Sequence, residues 1–290
     1  MKSRTPIRSI KKLKKTEGFS EIALSENKLR EMKAWFDQYC KSFTSFSEKQ
    51  KANFQLKYTH TYEVAKIIVE MGKRLGLKPP QLAIAELIGL FHDLGRFEQI
   101  KRYNTFSDAK SMDHGDFGMQ VIKEFKLLDK IEEMNQRSKE TVLKAVKYHN
   151  KLELPDLEDQ TTLFYIQLIR DADKIDIYRV LLEYYNDASD EKDQTVVLNL
   201  KSEEKLSESV IEKIKQGKIV EKRQIKNVND FKLLNLSWIF DFNFYASLQL
   251  LKEKGYYEQM CGMLPNTEQA KGVIDILMSA FSELLGEDVQ

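Results

Sequence analysis

Apolar residues recur along this chain at three- and four-residue spacing, and strand-like alternation is rare, so the pattern predicts a mostly α-helical protein. Between Ser25 and Phe43, one helical face carries Leu29, Met32, Trp35, Phe36 and Tyr39. Between Lys57 and Leu75 a second stripe runs through His60, Val64, Ile67, Ile68 and Met71, closed by Gly76 and Pro79-Pro80. From Gln81 to Phe91 the chain is apolar nearly all round. That predicts a central buried helix with His92 and Asp93 on its last turn and Gly95 as a left-handed stop. Residues 96–112 read as a polar loop bearing aromatics. Helices are expected to open near Asp113, an N-cap type, and near Ser138, and a long one to run from Gln160 to Tyr185. His114 shares a stripe with Val121 and Ile122, His149 with Val142 and Val146, and Asp173 with Ile166 and Ile177.

Beyond residue 190 the pattern weakens. Residues 195–200 and 219–225 read as short strands in a polar stretch, and Leu233 to Leu285 returns to an aromatic-rich helical pattern around Trp238, Phe240, Phe242, Phe244 and Tyr245. The expected organisation is a basic tail over 1–24, a helical core over 25–189, and a helical extension over 190–290 that packs on the core. Trp35, Trp238 and the aromatic run read as core rather than as a base-stacking platform.

Composition narrows the function classes. Lys+Arg 46 against Asp+Glu 45 leaves almost no net charge, so the whole protein is neither a basic nucleic-acid binder nor a membrane-surface protein. The basic cluster Lys11 to Lys15 reads as a solvated tail, with RNA binding as its rival. Cys40 and Cys261 stand outside any CxxC motif, so a disulfide framework is not expected, and a reducing cytoplasm is the natural compartment. No apolar run reaches the ~18 residues of a membrane span.

The chain has 4 histidines, His60, His92, His114 and His149, and each falls on or beside an apolar stripe, where an unpaired imidazole is costly to bury. His92 is followed by Asp93, and Asp171 and Asp173 lie downstream. Neutral imidazole and carboxylate are the ligands that borderline divalent ions favour, which points to a catalytic metal centre built from several helices. Asp171 and Asp173 lie ~200° apart round a helix and cannot face one ion, and Asp173 shares the apolar stripe. Asp171 and Asp176 are left to orient a ligand histidine or to form surface ion pairs.

The ordered set resembles the HD-domain superfamily of metal-dependent phosphohydrolases. His60, the dyad in "LIGLFHDLGRF" and Asp173 in "IRDADKID" match the positions that hold one metal; His114 in "DHGDFGMQVI" and His149 in "AVKYHN" match the two histidines that members with a second metal add. The resemblance covers about residues 57–186. It implies an all-α HD bundle with His60, His92, Asp93 and Asp173 on a first metal, and His114, His149 and a bridging Asp93 on a second. A mononuclear site with His114 and His149 lining the substrate pocket is the alternative. The chain lacks a GYP-type signature and a synthetase half, which argues against a cyclic-dinucleotide phosphodiesterase and a bifunctional alarmone enzyme.

Phosphate-ester hydrolysis needs a nucleophile near neutral pH and cations for the phosphoryl oxygens, and divalent metals supply both. The expected enzyme is therefore a metal-dependent phosphohydrolase using one or two ions of Mn, Fe, Co, Ni or Zn. A nucleotide or other small phosphorylated metabolite is its first candidate substrate. Asp93, Arg96, His114 and His149 are expected to carry the catalysis. Arg96 can fork onto a phosphate, and Lys101, Arg102, Tyr103 and Lys174 are further candidates for substrate binding. The same ligand set also fits a non-catalytic sensor of a nucleotide or metal, or a di-iron oxygenase.

Overall fold

A computed structural model describes residues 23–43, 47–189 and 194–287. The fold is all-α, and among the described residues there is no strand. The cluster Lys11 to Lys15 lies outside the described residues. By compactness the described chain divides into residues 23–176 and 177–287, the division falling inside one long helix. Among the described residues no helix is long and apolar enough to cross a membrane.

The first unit opens with α1 (Glu26–Lys41), capped by Ser25, whose side chain accepts from the Lys28 amide. Helix α2 (Glu48–Arg74) starts well ahead of the apolar stripe because Ser47 and Gln50 form a capping box, satisfying free amides at both positions. It ends where Gly76 takes φ +83, a left-handed turn that a residue with a Cβ enters only under strain. Helix α3 (Pro79–Phe91) begins on proline, whose missing N–H is one of the unbonded donors of a first turn. Nine of its buried residues run from Gln81 to Phe91, which makes it the central helix of the unit.

The segment read as a loop after residue 96 is largely helical. Helix α4 spans Leu94–Tyr103 and buries Leu94, Phe97 and Ile100 at three-residue spacing, a stripe hidden among Arg96, Glu98, Lys101 and Arg102. A single 3-10 turn follows at Asp108–Lys110. Then come α5 (His114–Glu124), α6 (Gln136–Tyr148) and α7 (Gln160–Asn186). Asp113 caps α5 as expected, accepting from the amides of Gly115 and Asp116.

Gly95 does not stop a helix. It sits inside α4, and a Cβ there would lie 2.2 Å from the His114 carbonyl oxygen and 2.7 Å from the Gly118 nitrogen. Glycine is needed because α4 and α5 touch backbone to backbone, and that contact brings His114 beside the dyad.

The second unit holds α8 (Glu208–Lys215), α9 (Val228–Leu236), α10 (Tyr245–Glu253), α11 (Tyr256–Gly262) and α12 (Glu268–Leu285). Buried Asp230 ties its loops together, accepting from the Ser207 amide, the Ser207 hydroxyl and the Lys226 amide. Tyr257 packs against Phe281 and Tyr178 in its core. The expected strands are absent. Residues 194–199 form turns in which Leu198 and Asn199 take positive φ, and Lys222–Gln224 is a 3-10 turn. Val197 and Val220 are buried there without pairing into a ladder.

Gly95→Ala is expected to cost about 1–3 kcal/mol of overpacking in urea unfolding. Gly272→Ala, on α12 with nothing within 4 Å of the added methyl, is expected to be neutral or slightly stabilising.

Candidate metal centre

Four of the six expected ligands lie at helix ends. His92 is the residue that closes α3, its amide still bonded to the Ile88 carbonyl. Asp93 then leaves helical geometry (φ −104, ψ 15) to begin α4, so two consecutive side chains turn toward one centre. His114 is the first residue of α5 and His149 closes α6. His60 comes from within α2 and Asp173 from within α7. His60, His92, Asp93, His114 and His149 are buried, and the Asp173 side chain is 19% exposed.

Each imidazole is gripped from behind at Nδ1. His60 Nδ1 donates to Asp176 Oδ2 at 2.7 Å, and His114 Nδ1 to Asp108 Oδ2 at 2.8 Å. His92 Nδ1 donates to the Gly89 carbonyl and His149 Nδ1 to the Val146 carbonyl, both at 2.7 Å. Carbonyls and ionised carboxylates only accept, so the hydrogen is on Nδ1 in every ring and Nε2 is aimed inward.

At the centre the Nε2 atoms fall into two pairs, His60 with His92 at 3.4 Å and His114 with His149 at 3.1 Å. Two nitrogens ~2.1 Å from one ion stand ~3.0–3.4 Å apart at ordinary coordination angles. Asp93 lies between the pairs. Its Oδ2 is 3.6 and 3.7 Å from the first pair, and its Oδ1 is 3.7 and 3.8 Å from the second. Asp173 Oδ1 approaches the first pair at 3.1 and 3.9 Å. His60, His92 and Asp93 form one group that can hold a metal ion, and Asp93, His114 and His149 form another. The donor set fits. Two bare Nε2 lone pairs opposed at 3.1 Å repel each other, and a cation between them relieves that.

Electrostatics divide the four rings. Burial pushes His92 down to about 4. Burial, reinforced by Arg96, also pushes His114 to about 4 against the pull of Asp108. Burial lowers His149 as well. His60 goes the other way: burial and Lys57 oppose its charge, but hydrogen bonds to Asp173 and Asp176 outweigh them and raise it. Asp93 stays ionised well below its usual range, because Lys57 and the surrounding histidines outweigh its burial.

The HD domain family model matches residues 58–178. Residues 58–178 are an HD domain. The HD domain contains all six expected metal ligands, His60 near its start and Asp173 near its end, together with Asp108 and Asp176 behind them. Among curated proteins and among solved structures, nothing matches the chain.

Arg96 stands beside the centre, its Nε 3.7 Å from Asp93 Oδ1. Its NH1 is fixed by Gln99 Oε1, the Phe106 carbonyl and Asp108 Oδ1. The contacts of the last turn of α4 lie elsewhere. Lys101 sits over the Phe43 ring, Arg102 pairs with Glu98 and lies over Phe117, and Tyr103 is exposed. Lys174 is buried on α7 beside Asp173. Between the acids left to orient a histidine, Asp176 is the one on His60, and Asp171 is buried. Asp116 pairs with Lys151 on the outside of α5.

Two residues of the centre escaped the sequence reading. Asp108 lies in a segment without periodicity, six positions before its histidine, and carried no signal. Lys57, whose Nζ is 2.6 Å from Asp93 Oδ2, carried one: it stands one helical turn before His60 on the same face.

Asp108→Asn is expected to weaken metal binding about 10–100-fold, read by competition with a chelating dye. A second expectation concerns acid. His92 and His114 titrate near 6.5 unfolded and about 4 folded, so the stability from keeping them neutral is complete above pH 6.5 and lost as pH falls toward 4. His149 acts in the same sense. His60, raised when folded, contributes stability below pH 6.5 that is lost as pH rises through its folded value, and so offsets one of the three. The net loss for metal-free protein between pH 7 and 4.5 is on the order of a few kcal/mol, measurable as a falling urea midpoint.

Proposed function

We propose that this chain is a metal-dependent phosphohydrolase acting on a nucleotide or another small phosphate ester. One observation carries the reading: a single carboxylate, Asp93, turns one oxygen to each of two histidine pairs. Divalent ions bound there would supply Lewis acidity to phosphoryl oxygens and lower the pKa of water to ~7. Mn, Fe, Co, Ni and Zn all suit the imidazole–carboxylate set.

The chain's own residues do the rest. Asp108, Asp176 and the carbonyls of Gly89 and Val146 hold the imidazoles in one tautomer, so no ring must reorient during turnover. The open side of the centre is marked by its partly exposed groups, the side chains of Asp173 at 19%, Lys57 at 18% and Arg96 at 16%. The buried Nε of Arg96 has no hydrogen-bond partner, and its charge is held rigidly by Asp108. A phosphoryl group arriving from the open side meets the partly exposed guanidinium as a fixed positive charge. The guanidinium then faces the charge that develops as the ester bond breaks, a preorganised arrangement that needs no movement of its own.

Protein purified without chelator is expected to carry two metal ions per chain by elemental analysis, and His114→Ala one. Phosphate release from a panel of nucleotides and small phosphate esters should fall at least about 100-fold in His92→Ala, beyond the loss that outer contacts cause. A metal-loaded protein that cleaves no mono- or diester of the panel, as followed by phosphate release and by chromatography of the products, defeats the reading. Oxygen consumption by the iron-loaded form would replace it with oxidation chemistry.

A further inference from the structure

The Lys57 ammonium and a metal ion compete for the same atom. Lys57 Nζ sits 2.6 Å from Asp93 Oδ2, and that oxygen, not Oδ1, faces His60 and His92 at 3.6 and 3.7 Å. A cation held by that histidine pair must share Oδ2 with the ammonium or expel it. Sharing would place a double positive charge beside a single one in a buried, weakly screened setting, with the Asp93 side chain 3% exposed. Expulsion is mechanically easy. Lysine is a point charge on a flexible four-carbon stem, and 18% of this side chain already meets solvent. Arg96, on the opposite oxygen, cannot leave in this way, because Gln99, Asp108 and the Phe106 carbonyl hold its NH1.

We infer that Lys57 is an exchangeable cation: it neutralises Asp93 Oδ2 until a metal ion takes that oxygen, and the freed ammonium then binds the phosphoryl group of the substrate. The second half rests on the phosphohydrolase reading; the first does not. Lys57 remains anchored to α2 one turn from His60, so a turn of its stem keeps the ammonium at the rim of the centre. The Phe106 ring, 5.8 Å from Nζ, lines that rim. Phosphate would then meet two cations on either side of Asp93, Lys57 at the Oδ2 side and Arg96 at the Oδ1 side. Metal loading and phosphate binding become linked: the first releases the ligand that the second uses, so each strengthens the other.

The exchange gives opposite signs to two affinities, which damage to the fold would not. Manganese(II) is titrated calorimetrically into metal-free full-length protein, and inorganic phosphate into the manganese-loaded protein, for wild type, Lys57→Met and Lys57→Gln. Removing the competitor leaves Asp93 buried without its partner. Both variants should therefore bind manganese about tenfold tighter or more, and inorganic phosphate about tenfold weaker or more. Manganese affinity that is unchanged or lower in both variants overturns the exchange. Phosphate affinity unchanged in both overturns the phosphoryl role. Neither titration needs turnover. Opposite shifts in a protein that hydrolyses no ester would retain the exchange while the phosphohydrolase reading fails, and equal affinities in an active phosphatase would do the reverse.

Discussion

The centre depends on the break at His92-Asp93 between two helices, where Asp93 departs from helical dihedrals. If α3 simply continued, His92 and Asp93 would point about 100° apart and only one of them could serve an ion. Because Asp93 leaves helical geometry and starts α4 in a new direction, adjacent side chains converge. The Asp93 carboxylate then reaches both histidine pairs, which is what joins two separate ligand groups into one site. The backbone contact between Gly95 and α5 has the same logic, since without it His114 could not come within reach of the carboxylate.

Burial sets the chemical state of this cluster as much as geometry does. Imidazoles removed from water resist protonation, so His92 and His114 stay available as ligands well into the acid range and His149 shifts in the same direction. His60 is flanked by two carboxylates and holds its proton more strongly, so a cation must take the place of that proton. The negative charge on Asp93 is balanced locally by Lys57 and Arg96, which lets a carboxylate remain ionised although it is almost wholly buried.

Much of this was legible in the sequence, and the failures have physical causes. One histidine on an apolar stripe says little, but the ordered set of His60, His92, His114 and His149 with the dyad and its resemblance to HD-domain proteins could be assembled without coordinates. Asp173 could be preferred to Asp171 by helical angle together with its apolar stripe. Capping chemistry placed the start of α5 at Asp113. Helix α4 was missed because its apolar stripe is only three residues wide and lies among charges that local reading assigns to a loop. Gly95 was misread because glycine near a helix end usually signals a left-handed turn, whereas here its reason lies across space in α5. Valine-rich residues 195–200 looked extended, yet burial of Val197 is achieved by a turn. Asp108 had no local pattern to reveal it, because its role is defined only by the partner that folding brings to it.

The four grips on the imidazoles are of two kinds, and each histidine pair has one of each. His92 and His149 are held by main-chain carbonyls three residues earlier in their own helices. His60 and His114 are held by aspartate side chains from other parts of the chain. No amino-acid exchange at position 89 or 146 deletes a carbonyl, whereas one codon change abolishes the carboxylate at 108 or 176. Inherited variation can therefore erode each half of the centre through one adjustable histidine while the other keeps its aim. Descendants of this sequence have a route to retuning one half of the site at a time without losing it.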